Sequence, residues 1–150
     1  MNDVIYVSDA TRDDFTFSTS DESFQKLQSA LESGANEELQ KHAANVLIGN
    51  IAAKKVCDNI GVEFILRGLY RKDITFKDSK LPGKYIVLFG QKDDAPVSYY
   101  STSFQVYEAV KMILCVYGDV SKWGGGIPVR IRMNSQNNIK AYSLEVVERK

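Results

Sequence analysis

Thr102-Ser-Phe-Gln-Val-Tyr-Glu-Ala-Val-Lys-Met-Ile-Leu-Cys-Val-Tyr-Gly118 is the stretch on which the fold turns. Val106, Val110, Ile113, Leu114 and Tyr117 form one stripe at helical spacing. Thr102 and Gln105 have capping-box spacing, and Gly118 is placed to end the helix. On both sides the period falls from 3.6 to 2. Upstream, Val62 to Phe76 is rich in β-forming residues. Gly68 inside that run suggests a bulge that lets one strand curl between two sheets. Leu81-Pro-Gly-Lys84 reads as a turn, Tyr85 to Phe89 as a second strand, Lys92 to Pro96 as a turn, and Val97 to Ser101 as a third strand. Downstream, Asp119 to Ile127 is a loop with Trp123 and three successive glycines. Val129, Ile131 and Met133 then alternate with Arg130 and Arg132 from Pro128 to Asn134. Ser135 to Asn138 turns the chain into a last strand, Ile139 to Val147.

The order β-β-β-α-β-β is that of a five-stranded OB-fold barrel, here spanning 61–150. Two segments precede it. Residues 24–60 read as a helical segment packed on the barrel. Phe24, Leu27, Ala30 and Leu31 stop at Gly34, then Asn36 caps a second helix through Leu39, Ala43, Val46, Leu47 and Ile51, with Gly61 to end it. Residues 1–23 are an N-terminal arm whose apolar residues, Val4, Ile5, Tyr6, Val7, Phe15 and Phe17, cannot build a core of their own. They are expected to dock, either back across the chain's own groove in competition with nucleic acid or, preferably, on a neighbouring subunit's sheet edge, giving dimers or filaments.

The 150 residues balance nineteen basic against nineteen acidic side chains, but unevenly along the chain. The arm carries −5, residues 24–60 are neutral, and residues 61–150 hold fourteen Lys/Arg against nine Asp/Glu, net +5. A basic body beside an acidic arm points to a polyanionic partner. No run approaches a membrane span or a signal peptide. Cys57 and Cys115 read as buried free thiols, and a cytoplasmic location with no membrane partner is expected.

Catalysis is not expected. There is no Walker loop, dinucleotide fingerprint or nucleophile elbow. Gly124-Gly-Gly126 leads into a strand and cannot cradle phosphate at a helix start. Asp93-Asp94 reads as a turn, and His42 lacks a carboxylate or cysteine cluster. No cofactor and no metal site follow.

Single-strand binding needs cations along a groove and aromatic faces for bases. Over strands two and three and the flanking loops, the candidates are Arg67, Arg71, Lys72, Lys77, Lys80, Lys84, Arg130, Arg132 and Lys140, with Tyr99, Tyr100 and Trp123 to stack. Tyr99 and Tyr100 are strand neighbours, so one points in and the other out. Arg130 and Arg132 would form a ridge about 7 Å long, near one nucleotide step.

Gly83-Lys-Tyr-Ile-Val-Leu-Phe89, Ser98-Tyr-Tyr-Ser-Thr-Ser103, Ile127-Pro-Val-Arg-Ile-Arg132 and Tyr142-Ser-Leu-Glu145 together resemble the small OB-fold single-stranded-DNA-binding proteins of Gram-positive phages and conjugative plasmids. The resemblance covers about 61–148 and implies a non-catalytic protein that coats single-stranded DNA with little sequence choice, during replication or conjugative transfer of a mobile element. It also implies self-association along the strand. Double-stranded DNA is a second candidate ligand. The rival reading is an OB-fold protein-interaction adaptor that binds no nucleic acid.

Overall fold

The computed structural model describes residues 13–17, 28–136 and 139–148, with the backbone alone at 28–30, 135–136 and 139–140. In chain order these form β1 (Phe15–Phe17), β2 (Gln28–Leu31), α1 (Glu37–Ile48), β3 (Lys54–Lys55), β4 (Glu63–Phe76), β5 (Pro82–Lys92), β6 (Ala95–Ser101), α2 (Phe104–Tyr117), β7 (Ile127–Gln136) and β8 (Ile139–Val146). The strands make one sheet in the order β3-β6-β5-β4-β7-β8, with β1 and β2 as extra partners of β4. Among the described residues the protein is mainly β, with two α-helices and a sheet curled into a half-barrel.

β4 organises the sheet. One edge pairs with β5 from Ile65 to Thr75, and the register shifts between Leu66 and Gly68. The bulge falls where the glycine suggested it. The other edge is divided among three partners: β7 at Glu63–Leu66, β2 at Gly68–Arg71 and β1 at Ile74–Phe76. The β5–β6 hairpin turns on Asp93 and Asp94, both with positive φ, a conformation that Asp tolerates better than most side chains. The preceding turn lies at Lys77–Lys80, earlier than Leu81-Pro-Gly-Lys84, because β5 already pairs from Pro82.

Alternation gives the sheet two buried faces. The inner one joins Phe64, Leu66, Ile86, Leu88 and Tyr99 to Val106, Val110 and Ile113 of α2 and to Val129 and Ile131 of β7. On the outer one, Val87 and Phe89 pack under Leu39 and Ala43 of α1. Asn36 caps α1 by accepting from the Leu39 N–H at 2.8 Å, and Glu37 and Glu38 suit the positive end of the helix.

Upstream of β4 two expectations need correction, while Phe24 and Leu27 of the first expected helix lie outside the described residues. Gln28–Leu31 is a strand, because the β4 backbone beside it offers a ladder that an isolated helical turn there cannot match. α1 ends at Gly49, in the left-handed region, and not at Gly61. Farther on, Ser103 rather than Thr102 is the N-cap of α2, and Cys115 is exposed while Cys57 is half-buried. Among the described residues, no helix is long and apolar enough to cross a membrane.

Candidate nucleic-acid interface

The outer face of β4–β6 carries Tyr70, Lys72, Tyr85 and Tyr100. α1 covers one part of it, and the segment Asp13–Phe17 covers another. β1 reaches this position because its backbone pairs with the end of β4, which turns Phe15 and Phe17 toward Tyr85. The Phe15 ring lies 5.5 Å from Tyr85, and Phe17 meets it edge-on at 5.1 Å. Tyr100 continues the row 5.7 Å beyond Tyr85. Lys72 Nζ stands 4.9 Å from the centre of the Phe17 ring.

At the end of this aromatic row sits a carboxylate. Asp13 Oδ2 is 2.6 Å from Lys55 Nζ, and Tyr100 Oη donates to Asp13 Oδ1 at 2.6 Å. The bond from Lys55, reinforced by that from Tyr100, holds the Asp13 carboxyl below its ordinary pKa. Burial, and then the hydrogen bond to the Asp13 carboxylate, push the Tyr100 phenol well above its own. The arrangement fixes an anion between a cation and a neutral donor, flanked by ring faces. Those are the contacts that a nucleic-acid backbone and its bases require.

Of the residues nominated from the sequence, Tyr100 and Lys72 come together here. Arg71 and Lys84 do not. Alternation carries them to the α2 side of the sheet, where both flank Tyr107. Lys77 and Lys80 are exposed on the β4–β5 turn, while the Lys140 side chain and residues Val4, Ile5, Tyr6 and Val7 lie outside what is described. Phe15 and Phe17, expected to reach a neighbour, are seated on β4 of their own chain.

Several nominated side chains are buried or paired. Tyr99 is the inward-facing member of its pair, 4.9 Å from the Phe64 ring in the inner core. Trp123, expected on an open loop, is 6% exposed, with Nε1 donating to the Gly118 carbonyl at 3.0 Å. A 3-10 turn at Val120–Lys122 folds the loop onto the inner core and removes that ring face from solvent. Arg67 is also internal. Its side chain is 12% exposed against 2% for Glu32, with Nε 2.7 Å from Glu32 Oε2. The same guanidinium donates to Gln91 at 2.7 Å, and the Gly125 N–H donates to Glu32. The glycine run is therefore pinned. At Gly126, with φ +91°, an added Cβ would lie 2.7 Å from the Leu66 carbonyl oxygen.

The Arg130–Arg132 ridge is paired with carboxylates, in contacts that are themselves half-exposed. Arg130 Nε donates to Glu63 at 2.9 Å and Nη1 to Glu145 at 3.0 Å, while Arg132 Nη1 reaches Glu145 at 2.9 Å. Strand register made these pairs, placing Arg130 opposite both Glu63 and Glu145.

Sequence reasoning missed Lys55, Asp13 and Tyr85 as partners. Asp13 and Lys55 are distant in sequence and meet only through the curl of the sheet. His42 Nε2 lies 3.1 Å from Ser98 Oγ, and burial lowers its pKa. Among the described residues no group of three or more His, Cys, Asp and Glu could hold a metal ion. Compared with protein-family models, curated proteins and solved structures, the chain matches none.

Proposed function

We propose that this is a non-catalytic, OB-type single-stranded-DNA-binding protein with little sequence choice, which coats DNA during replication or transfer of a mobile element. The order β6-β5-β4-β7-β8, with α2 between the third and fourth of these strands along the chain, supports the OB assignment. The observation that carries the function is the acidic, aromatic arm on the outer face. Asp13, Phe15 and Phe17 use Lys55, Tyr100, Tyr85 and Lys72 as a phosphate and two bases would. On this reading the arm is an internal competitor, and DNA binds as the arm leaves. The same β1–β4 pairing, made by a neighbour's arm, would link subunits along the strand.

The test is a titration with fluorescent oligonucleotides, single- and double-stranded, at two salt concentrations. A single-strand coater loses affinity steeply as salt rises, because cationic contacts release counterions. A second reading, an interaction adaptor, is favoured by β1 itself, which adds to the β4 edge as a bound peptide does. An adaptor would bind no oligonucleotide at micromolar concentration in either salt.

A further inference from the structure

Around Tyr107, on the α2 side of the sheet, three cations from three elements converge. Arg71 Cζ of β4 is 5.5 Å from the ring centre, Lys84 Nζ of β5 5.7 Å, and Lys111 Nζ of α2 5.6 Å. No two of them are therefore farther apart than about 11 Å, roughly a Debye length at 0.1 M salt, so they repel one another and together attract an anion. Arg71 Nη1 donates to Tyr107 Oη at 2.8 Å, and among the described residues no carboxylate pairs with it. Lys84 pairs with Asp73 at 2.6 Å and Lys111 with Glu108 at 3.3 Å. Both pairs are solvent-exposed single contacts, which contribute little and exchange readily.

Lys84 and Asp73 also line one end of a groove of about 630 Å³. The rest of that groove is largely apolar, including Ile74, Phe76, Leu81 and Phe104. Leu81 is 60% exposed and Phe104 55%, which is unusual for side chains of their size. Phe104, Tyr107 and Lys111 stand at i, i+3 and i+7 on α2, so ring, ring and cation follow one ridge of the helix. α2 begins at the groove with no acidic residue in its first turn to repel an anion. An apolar slot beside the exposed Phe104 ring, with Lys84 at its rim and Arg71 and Lys111 around the neighbouring Tyr107, matches a base joined to a phosphate.

We infer that this groove is a second binding site, for one nucleotide of a single strand. The base lies against Phe104 and Leu81, and its phosphate is held by Arg71, Lys84 and Lys111. The inference rests on reading the protein as a single-strand binder, and it adds a contact separate from the one the arm occupies.

The test follows backbone amides by NMR in the full-length protein titrated separately with 5′-dTMP, thymidine and a thymidine 20-mer. Saturable shifts at Gly83, Lys84 and Thr102 to Lys111 with 5′-dTMP are expected, with thymidine about ten-fold weaker or worse for lack of the phosphate. Phe104→Ala should weaken 5′-dTMP about ten-fold, the scale of a lost stacking contact. Arg71→Gln with Lys84→Gln and Lys111→Gln should flatten the salt slope for the 20-mer by about two to three. Lys84→Gln alone, a single exposed change, guards against misfolding of the triple variant and should weaken 5′-dTMP by itself. If the 20-mer binds while the groove amides stay still, the groove is not a nucleotide site and the proposed function survives. If 5′-dTMP saturates the groove but the 20-mer binds nowhere, the function is wrong and the site stands. Equal shifts from thymidine and 5′-dTMP would make the groove an apolar docking slot and overturn the inference.

Discussion

Truncating Phe17 to alanine should make the protein bind DNA more tightly. The ring makes an edge-on contact with Tyr85 and carries Lys72 above it. An aromatic pair of this kind is worth about 1 kcal/mol, and an exposed cation–ring contact about 0.5 kcal/mol. Phe17 is itself 43% exposed, so the area it buries adds only about 0.5 kcal/mol more. The docked arm should therefore lose about 2 kcal/mol, a factor of roughly thirty in its equilibrium. When an internal competitor must leave first, apparent affinity scales with the fraction already open. A gain of about ten- to thirty-fold in oligonucleotide affinity is expected by fluorescence anisotropy at fixed salt. The melting temperature of the body should move little, since β1 is a three-residue strand at its periphery. Unchanged affinity would show that the arm does not compete. Weaker binding would show that Phe17 belongs to the DNA site, and the competitor reading would be abandoned.

The arm should also respond to pH. Because the Asp13 carboxyl is held low, its contribution to docking is present above the ordinary carboxylate pKa and disappears as pH falls through the depressed value. The Tyr100 phenol is held high, so its contribution is intact below the ordinary phenol pKa and fades as pH rises through the elevated one. Wild type should thus be most inhibited near neutrality, and Asp13→Asn should lose the acid-side limb when affinities are compared across pH. Deleting residues 1–20 separates two geometries. Higher affinity at unchanged mass by light scattering means a cis cover, and lost oligomers at unchanged single-site affinity mean an inter-subunit arm. Glu32→Ala strands the buried Arg67 guanidinium and the Gly125 N–H. It should cost about 3 kcal/mol by urea unfolding, and a loss under 1 kcal/mol would deny that ion pair its place in the fold.

What the sequence could reveal was set by range. α2, the alternation at Val129 and Ile131, the bulge beside Gly68 and the Asn36 cap are local signals, and each appears in the structure. Gln28–Leu31 misled because a short apolar run fits a helix stripe and a strand equally, and only the vacant stretch of β4 edge decides between them. The candidate site suffered more. Whether an arginine is available depends on which carboxylate the register sets opposite it, as at Arg130, Glu63 and Glu145. The fate of Trp123 depended on a loop folding onto the inner core, which composition does not encode. Tyr107 and Lys111 were visible as helical neighbours, but the two cations that join them come from strands far upstream.

The divided edge of β4 has a consequence for solubility. Tyr70, Lys72, Ile74 and Phe76 alternate along a stretch whose edge away from β5 is occupied, among the described residues, by β2 and β1. A chain shortened from its N-terminus would leave that ladder open on a strand rich in aromatic and β-branched residues, a template for pairing with other copies. β1 and β2, which precede β4 in the chain, therefore act as the guard of that strand's second edge, and because they are made before it the edge has its partners from the moment it emerges.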